Sequence, residues 1–269
     1  MSRAAATVDR MTITDQDCLR ETLAFNDHFA AARADRPARE GTPGTAALTL
    51  LRRNRLGGDA PPTRLPQGRD RVIDGAGTVR AFVPDHIDGV YPHIHGGGWA
   101  FGSADGQDER LWRLADQARL AVVTLLRLRD RHGITGAFRA AHLLFGAYDL
   151  SMTPSQRSFG NRRLLSNTES LRGVYELFTP GVGEEERRSP EVSPLFADLT
   201  ELPPARIVVG TEDPLLDDSL FLAACWQAAG APVRLGVIAG AMHGFTLFPL
   251  TITERELRRE RDFLATAWR

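Results

Sequence analysis

The strongest constraint in this sequence is the alternation of short, continuous apolar runs with helical patterns through its second half. Arg139 to Ala147, Ile207 to Gly210 and Val233 to Val237 are apolar runs, with a helical pattern over Leu216–Ala229 between the last two and another over Thr253–Trp268 closing the chain. Runs of this kind read as strands buried on both faces rather than as strands with one wet side. Strands separated by helices of this length predict a mostly parallel sheet with helices on both faces, an α/β fold.

Upstream the pattern is different. Leu19, Leu23, Phe25, Phe29 and Ala30 fall near helical spacing within Thr14–Arg33, with Thr14 or Asp15 as the N-cap. From Glu40 to Gln67 the chain is rich in Gly, Pro and Arg and reads as connecting structure. Arg71 to Ile73, Thr78 to Val83 and Gly89 to His95 follow as short strands separated by Asp-Gly and Pro-Asp turn signals, the first two antiparallel. Asp108 to Ala118 then shows a helical pattern with Leu111, Trp112 and Ala115 on one face.

A chain of 269 residues, 42% of them hydrophobic and 25% charged, suffices for one large domain with a sizeable core. The 33 basic and 34 acidic residues are mixed along the chain and leave a net charge of −1, which offers no handle for nucleic acid or an anionic membrane surface. The expected ligand is a neutral or apolar small molecule. Cys18 and Cys225 are too few and too far apart for a disulfide framework or a zinc site. No stretch approaches the ~18 apolar residues a membrane span needs, and the expectation is a cytoplasmic protein.

Three motifs carry chemistry. His95-Gly96-Gly97-Gly98-Trp99, continuing through Phe101-Gly102-Ser103, follows an apolar strand. Consecutive glycines let the backbone approach a ligand with its N–H groups presented, as a tetrahedral oxyanion requires. The second is Val208-Val209-Gly210-Thr211-Glu212-Asp213-Pro214-Leu215-Leu216-Asp217-Asp218, an apolar strand running into an acidic turn and a helix. Site residues of α/β folds gather at such C-terminal strand ends, although Asp213 alone reads more readily as a turn residue or helix N-cap than as a catalytic acid. The third is Met242-His243-Gly244-Phe245, with His243 thirty positions beyond Asp213, after one helix, one strand and a Gly240-Ala241 loop expected to let the imidazole reach back over the sheet. The order acid, helix, strand, His is that of an α/β-hydrolase triad.

Taken together these motifs resemble the hormone-sensitive-lipase family of α/β-hydrolase carboxylesterases, from about Val72 to the C-terminus; Ser193-Pro194-Leu195 and Leu202-Pro203-Pro204-Ala205 are similar to that family as well. The resemblance implies an α/β-hydrolase fold in a single domain over residues 1–269, with a helical cap contributed by about 1–45 and 155–190. It implies oxyanion donors at Gly97 and Gly98, an acid at Asp213 that orients the imidazole, a general base at His243, and a pocket shaped by His95 and Trp99. It calls for no metal and no cofactor. The implied partner is a small-molecule ester with an apolar acyl or alcohol group, and a homodimer is compatible with it.

The family's nucleophile sits in a Gly-x-Ser-x-Gly elbow, and no serine of this chain has that setting. Ser103 belongs to the glycine motif, and Ser151, Ser155 and Ser158 lie in what reads as a polar surface loop. Ala121 to Thr124 resembles the start of the family's next strand, yet Leu125 to Asp130 already resembles the helix that follows the elbow. Between them the family would place on the order of fifty residues, a strand–helix–strand unit with its connections. The expected sheet therefore lacks a central strand and a covering helix, either closing up or letting Leu111 to Arg131 form one long helix.

The implied function is carboxylic ester hydrolysis by Ser-His-Asp acyl transfer, with the serine absent from this chain. The alternatives are a catalytically inactive small-molecule binder of the same fold, and an amidase or lactonase. An incomplete sequence, a deletion product and a pseudoenzyme all fit the missing elbow.

Overall fold

The computed structural model describes residues 16–34, 64–73, 77–83 and 122–268. Helix α1 (Gln16–Ala31) precedes an antiparallel hairpin, β1 (Arg69–Ile73) with β2 (Gly77–Ala81), paired from Arg69 opposite Ala81 to Ile73 opposite Gly77. Then come α2 (Val122–His132), β3 (Ala141–Leu144), α3 (Pro154–Ser158), α4 (Thr168–Phe178), β4 (Ala205–Glu212), α5 (Leu216–Ala228), β5 (Val233–Met242) and α6 (Thr251–Trp268). Strands β3, β4 and β5 form a parallel sheet in that order. The strand expected at Gly89–His95, the helix at Asp108–Ala118, the N-cap at Thr14 or Asp15 and the segment Leu111–Ala121 lie outside the described residues.

The sheet is parallel and covered on both faces, as the apolar runs predict. Ala205 to Gly210 of β4 are all buried. On one face Ala141, Leu143, Ala205, Ile207, Val233 and Leu235 pack against Val122, Leu125 and Leu126 of α2 and Leu222, Ala223 and Trp226 of α5. Trp226 is fully buried, and its indole N–H donates to the Pro203 carbonyl at 3.0 Å, so the one polar atom of the largest core side chain is satisfied. On the other face Val208 and Ile238 meet Cys18 of α1 and Ile252 of α6.

Helix α6 departs from a simple amphipathic pattern. Its inward stripe is Ile252, Glu256, Glu260 and Leu264, each at most 1% exposed, so two of the four are glutamates. Arg206 on β4 supplies the counter-charge of Glu256: its guanidinium makes a fork with that carboxylate, Nη1 to Oε1 and Nη2 to Oε2, and its Nη1 also lies 2.9 Å from His142 Nε2 on β3. A buried charge is costly unless paired, and the fork offsets that cost for Glu256.

Ala121 to Thr124 resembles the start of a strand, but Val122 to Thr124 lie in α2, as the alternative of a helix through this stretch allows, and the Val122 side chain is buried against the sheet. The Gly240-Ala241 loop is not a loop: β5 runs unbroken to Met242. Among the described residues no helix is long and apolar enough to cross a membrane.

Candidate active site

Strand β4 delivers Asp213 to the C-terminal end of the sheet. Pro214 cannot donate to a sheet ladder, so the strand ends, and the Asp213 Oδ1 accepts from the Leu215 N–H at 2.8 Å to form the tight turn into α5. Strand β5 delivers His243 one residue beyond its own end. His243 Nδ1 lies 3.1 Å from Asp213 Oδ2 and 3.2 Å from Oδ1. Asp213 is 1% exposed, whereas the imidazole keeps 23% of its side chain open. A carboxylate offers only lone pairs, so Nδ1 is the donor of this contact, and in the neutral imidazole Nε2 is then the acceptor.

What brings the two residues level is a break in the strand register. From Ala205 opposite Val233 to Gly210 opposite Ile238 the partners differ by 28 positions; at Glu212 opposite Met242 they differ by 30. The next pair on that offset is Asp213 and His243. Two extra residues of β5 are accommodated around Gly240, which adopts φ +73° and whose N–H donates to Thr211 Oγ1 at 2.9 Å. Gly210 allows the close approach, because a Cβ there would overlap the Ala241 carbonyl. Helix α1 clamps the same place, with Asn26 Nδ2 donating to the Gly240 carbonyl at 2.8 Å and Leu19 and Leu23 lying against that glycine.

A second acid of the same motif has a different office. Asp218, in the first turn of α5, is fully buried and accepts from Tyr148 N–H (2.7 Å), Asp149 N–H (2.9 Å), Thr153 Oγ1 (2.8 Å) and Gln156 Nε2 (2.6 Å). Gln156 is held in turn by the Tyr175 hydroxyl at 3.0 Å. Burial pushes the Asp218 carboxyl up to about 6, against the four hydrogen bonds, which favour its charged form. The same burial holds the Tyr148 and Tyr175 phenols well above the usual tyrosine range. This network ties the segment after β3, including α3 and α4, to α5. The segment 159–167 then passes over the site end: Arg162 pairs with Glu212 at 2.5 Å, and Leu165 lies against Gly244, the residue after His243. Asn167 closes a capping box with Ser170 that starts α4.

The serines expected on a polar surface loop divide. Ser158 is exposed, but Ser151 is 2% exposed and donates to Asp149 Oδ1 at 2.5 Å. Ser155 is half-buried, donating to the Pro214 carbonyl at 2.8 Å and accepting from the Asp217 N–H at 3.0 Å. Among the described residues no serine hydroxyl hydrogen-bonds His243. Gly97, Gly98, His95 and Trp99 lie outside the described residues. Asp218, Gln156 and the register break escaped the sequence reading; the doubled acid after Leu216 was the visible trace of the first.

The parallel sheet with helices on both faces, an acid ending one strand and a histidine following the next define an α/β-hydrolase. Residues 118–247, just under half of the chain, match the family model of the alpha/beta hydrolase fold, and the fold of the chain is that fold. It is 28% identical over 195 residues to an acetyl esterase of Salmonella choleraesuis (strain SC-B67), an alignment covering 72% of this chain and 55% of that protein. The chain thus spans about half the length of the curated relatives it matches. Among solved structures it is similar to a hormone-sensitive lipase from a metagenome library (TM-score 0.70, 21% identity, 92% of this chain and 98% of that one). It is also similar to a hyperthermophilic esterase from the archaeon Pyrobaculum calidifontis (TM-score 0.72, 20% identity, 91% and 98%).

Proposed function

We propose that this chain carries the acid–base half of a carboxylic ester hydrolase, in one α/β-hydrolase domain whose cap comes from about residues 1–45 and 155–190. The observation that carries the reading is His243 Nδ1 at 3.1 Å from the buried Asp213 carboxylate, at the C-terminal ends of adjacent parallel strands. Asp213 holds the imidazole in the tautomer whose Nε2 can accept a proton, and stabilises the imidazolium that results. Gly97 and Gly98 present backbone N–H groups to the oxyanion of an ester carbonyl, and His95 and Trp99 shape the pocket for an apolar acyl or alcohol group.

Acyl transfer also needs a nucleophile, which a serine hydroxyl deprotonated by His243 would supply, forming an acyl-enzyme that water then cleaves. The sequence holds no Gly-x-Ser-x-Gly, so the reading for the chain as it stands is an ester-binding site with negligible turnover. The same missing elbow favours a second reading, a binder that holds a carbonyl or carboxylate ligand without cleaving it.

The test is to measure the intact mass of the purified chain with hydrolysis of a short p-nitrophenyl ester, then repeat with His243→Ala. The expected result is a mass of 29.5 kDa with negligible turnover. Robust hydrolysis at that mass, lost in His243→Ala, overturns the absence of a nucleophile. Activity at a mass several kilodaltons larger shows that the working protein contains the missing unit. Carboxylate binding without turnover at 29.5 kDa selects the binder.

A further inference from the structure

Phe145 ends β3 in a conformation its residue type disfavours. Its φ is +37°, in the left-handed region that glycine fills without cost and a phenylalanine does not. The backbone is nonetheless well held: the Phe145 N–H donates to the Val208 carbonyl at 2.7 Å, extending the β3–β4 ladder by one residue. The next residue, Gly146, has no room for a side chain because the Tyr148 ring occupies the space a Cβ would take. The chain therefore turns sharply at 145, and it places an aromatic side chain at the turn.

That side chain spans the middle strand. From the end of β3 the Phe145 ring reaches residues that follow β5, packing edge-on against His243 (centroids 5.1 Å apart, planes at 68°) and against Phe245 (5.9 Å, 66°). Phe245 is fully buried, so Phe145 is braced on one side by the core and lies on the other against the half-open imidazole. A histidine held only by the Nδ1 contact to Asp213 can still swing or turn over about its Cβ–Cγ bond. An apolar ring against it opposes that motion and, having no lone pair or N–H, cannot compete for Nε2. Backbone strain retained beside a reactive side chain is how a fold fixes such a geometry.

We propose that Phe145 is a positioning residue for His243, its ring holding the imidazole in the orientation that keeps Nδ1 on Asp213 and Nε2 available. The inference rests on the Asp213–His243 reading given above, and the experiment separates the two. The protein is labelled with 15N-histidine, and the His243 tautomer and ring signals are read by NMR in the parent and in Phe145→Leu, Phe145→Gly, Phe145→Tyr and Asp213→Asn.

The parent should show one Nδ1–H tautomer, ring-current-displaced His243 protons and a nuclear Overhauser contact between the two rings. Phe145→Leu and Phe145→Gly should lose the displacement and show a second tautomer, while Phe145→Tyr restores the parent spectrum. Phe145→Gly suits the left-handed turn, so a change in His243 there comes from the missing ring and not from a backbone that cannot be built. A parent-like His243 in Phe145→Leu or Phe145→Gly, with Asp213→Asn still altering it, overturns the role of Phe145 alone. A His243 spectrum indifferent to Asp213→Asn overturns the acid–base pair itself. Should the variants not fold, an absent contact between the rings in the parent overturns the proposal unaided.

Discussion

Asp213 and Asp218 come from one short acidic turn and are both buried, yet the structure uses them in opposite ways. Asp218 has its lone pairs filled by four donors, two of them backbone amides of the segment after β3, and nothing of it is left to act on a ligand. Asp213 accepts one backbone N–H and otherwise faces a half-open histidine. A carboxylate saturated by the fold is an anchor; one whose remaining capacity meets a titratable ring at a strand end is equipped for chemistry. The sequence motif presents the two acids alike, and only their partners tell them apart.

The contrast breaks most easily at the anchor. Asp218→Ala strands four buried donors and should cost about 4 kcal/mol of stability, read as a fall in the urea midpoint. An unchanged midpoint would show that water satisfies the network. At the other corner, Gly210→Ala should cost about 3 kcal/mol, because its Cβ overlaps a backbone carbonyl that cannot move without undoing the β4–β5 register. His243 should also lose its Nδ1 tautomer signature in that variant.

The pH dependence expected from Asp218 is smaller. The folded protein binds the Asp218 proton more tightly than the unfolded chain does, with a carboxyl at about 6 against an ordinary 3.8. Its contribution is therefore fully present below the ordinary value and is lost as pH rises through about 6, a change on the order of 2 kcal/mol. Urea melts between pH 4 and 7 should show this decline, and Asp218→Asn should flatten it. Smallest of all, Asp213→Asn should alter stability by less than about 1 kcal/mol while erasing the His243 tautomer preference. A large loss of stability there would make Asp213 a second anchor and remove the contrast.

The legible part of this molecule was the part written in local patterns. The apolar runs at 139–147, 207–210 and 233–237 gave β3, β4 and β5, because a strand buried on both faces has no alternation to disguise it. The order of Asp213 and His243 was readable because chain order is a sequence property. Their meeting was not: it depends on two extra residues in β5, and a Gly240-Ala241 pair suggests a loop as readily as a register break. Nor could the inward glutamates of α6 be recognised, since Glu256 is paid for by Arg206 fifty positions away. Phe145 looked like one more apolar residue ending a strand, and its left-handed turn carries no residue signal at all.

The clamp of α1 on Gly240 has a kinetic consequence. The contact from Asn26 spans 214 residues, and closing so long a loop is an entropic cost the chain meets only after its local strands and helices can repay it. The imidazole corner should therefore be among the last features to form. A refolding chain would acquire its sheet first and its aligned histidine only when its own beginning returns to lock the end of β5.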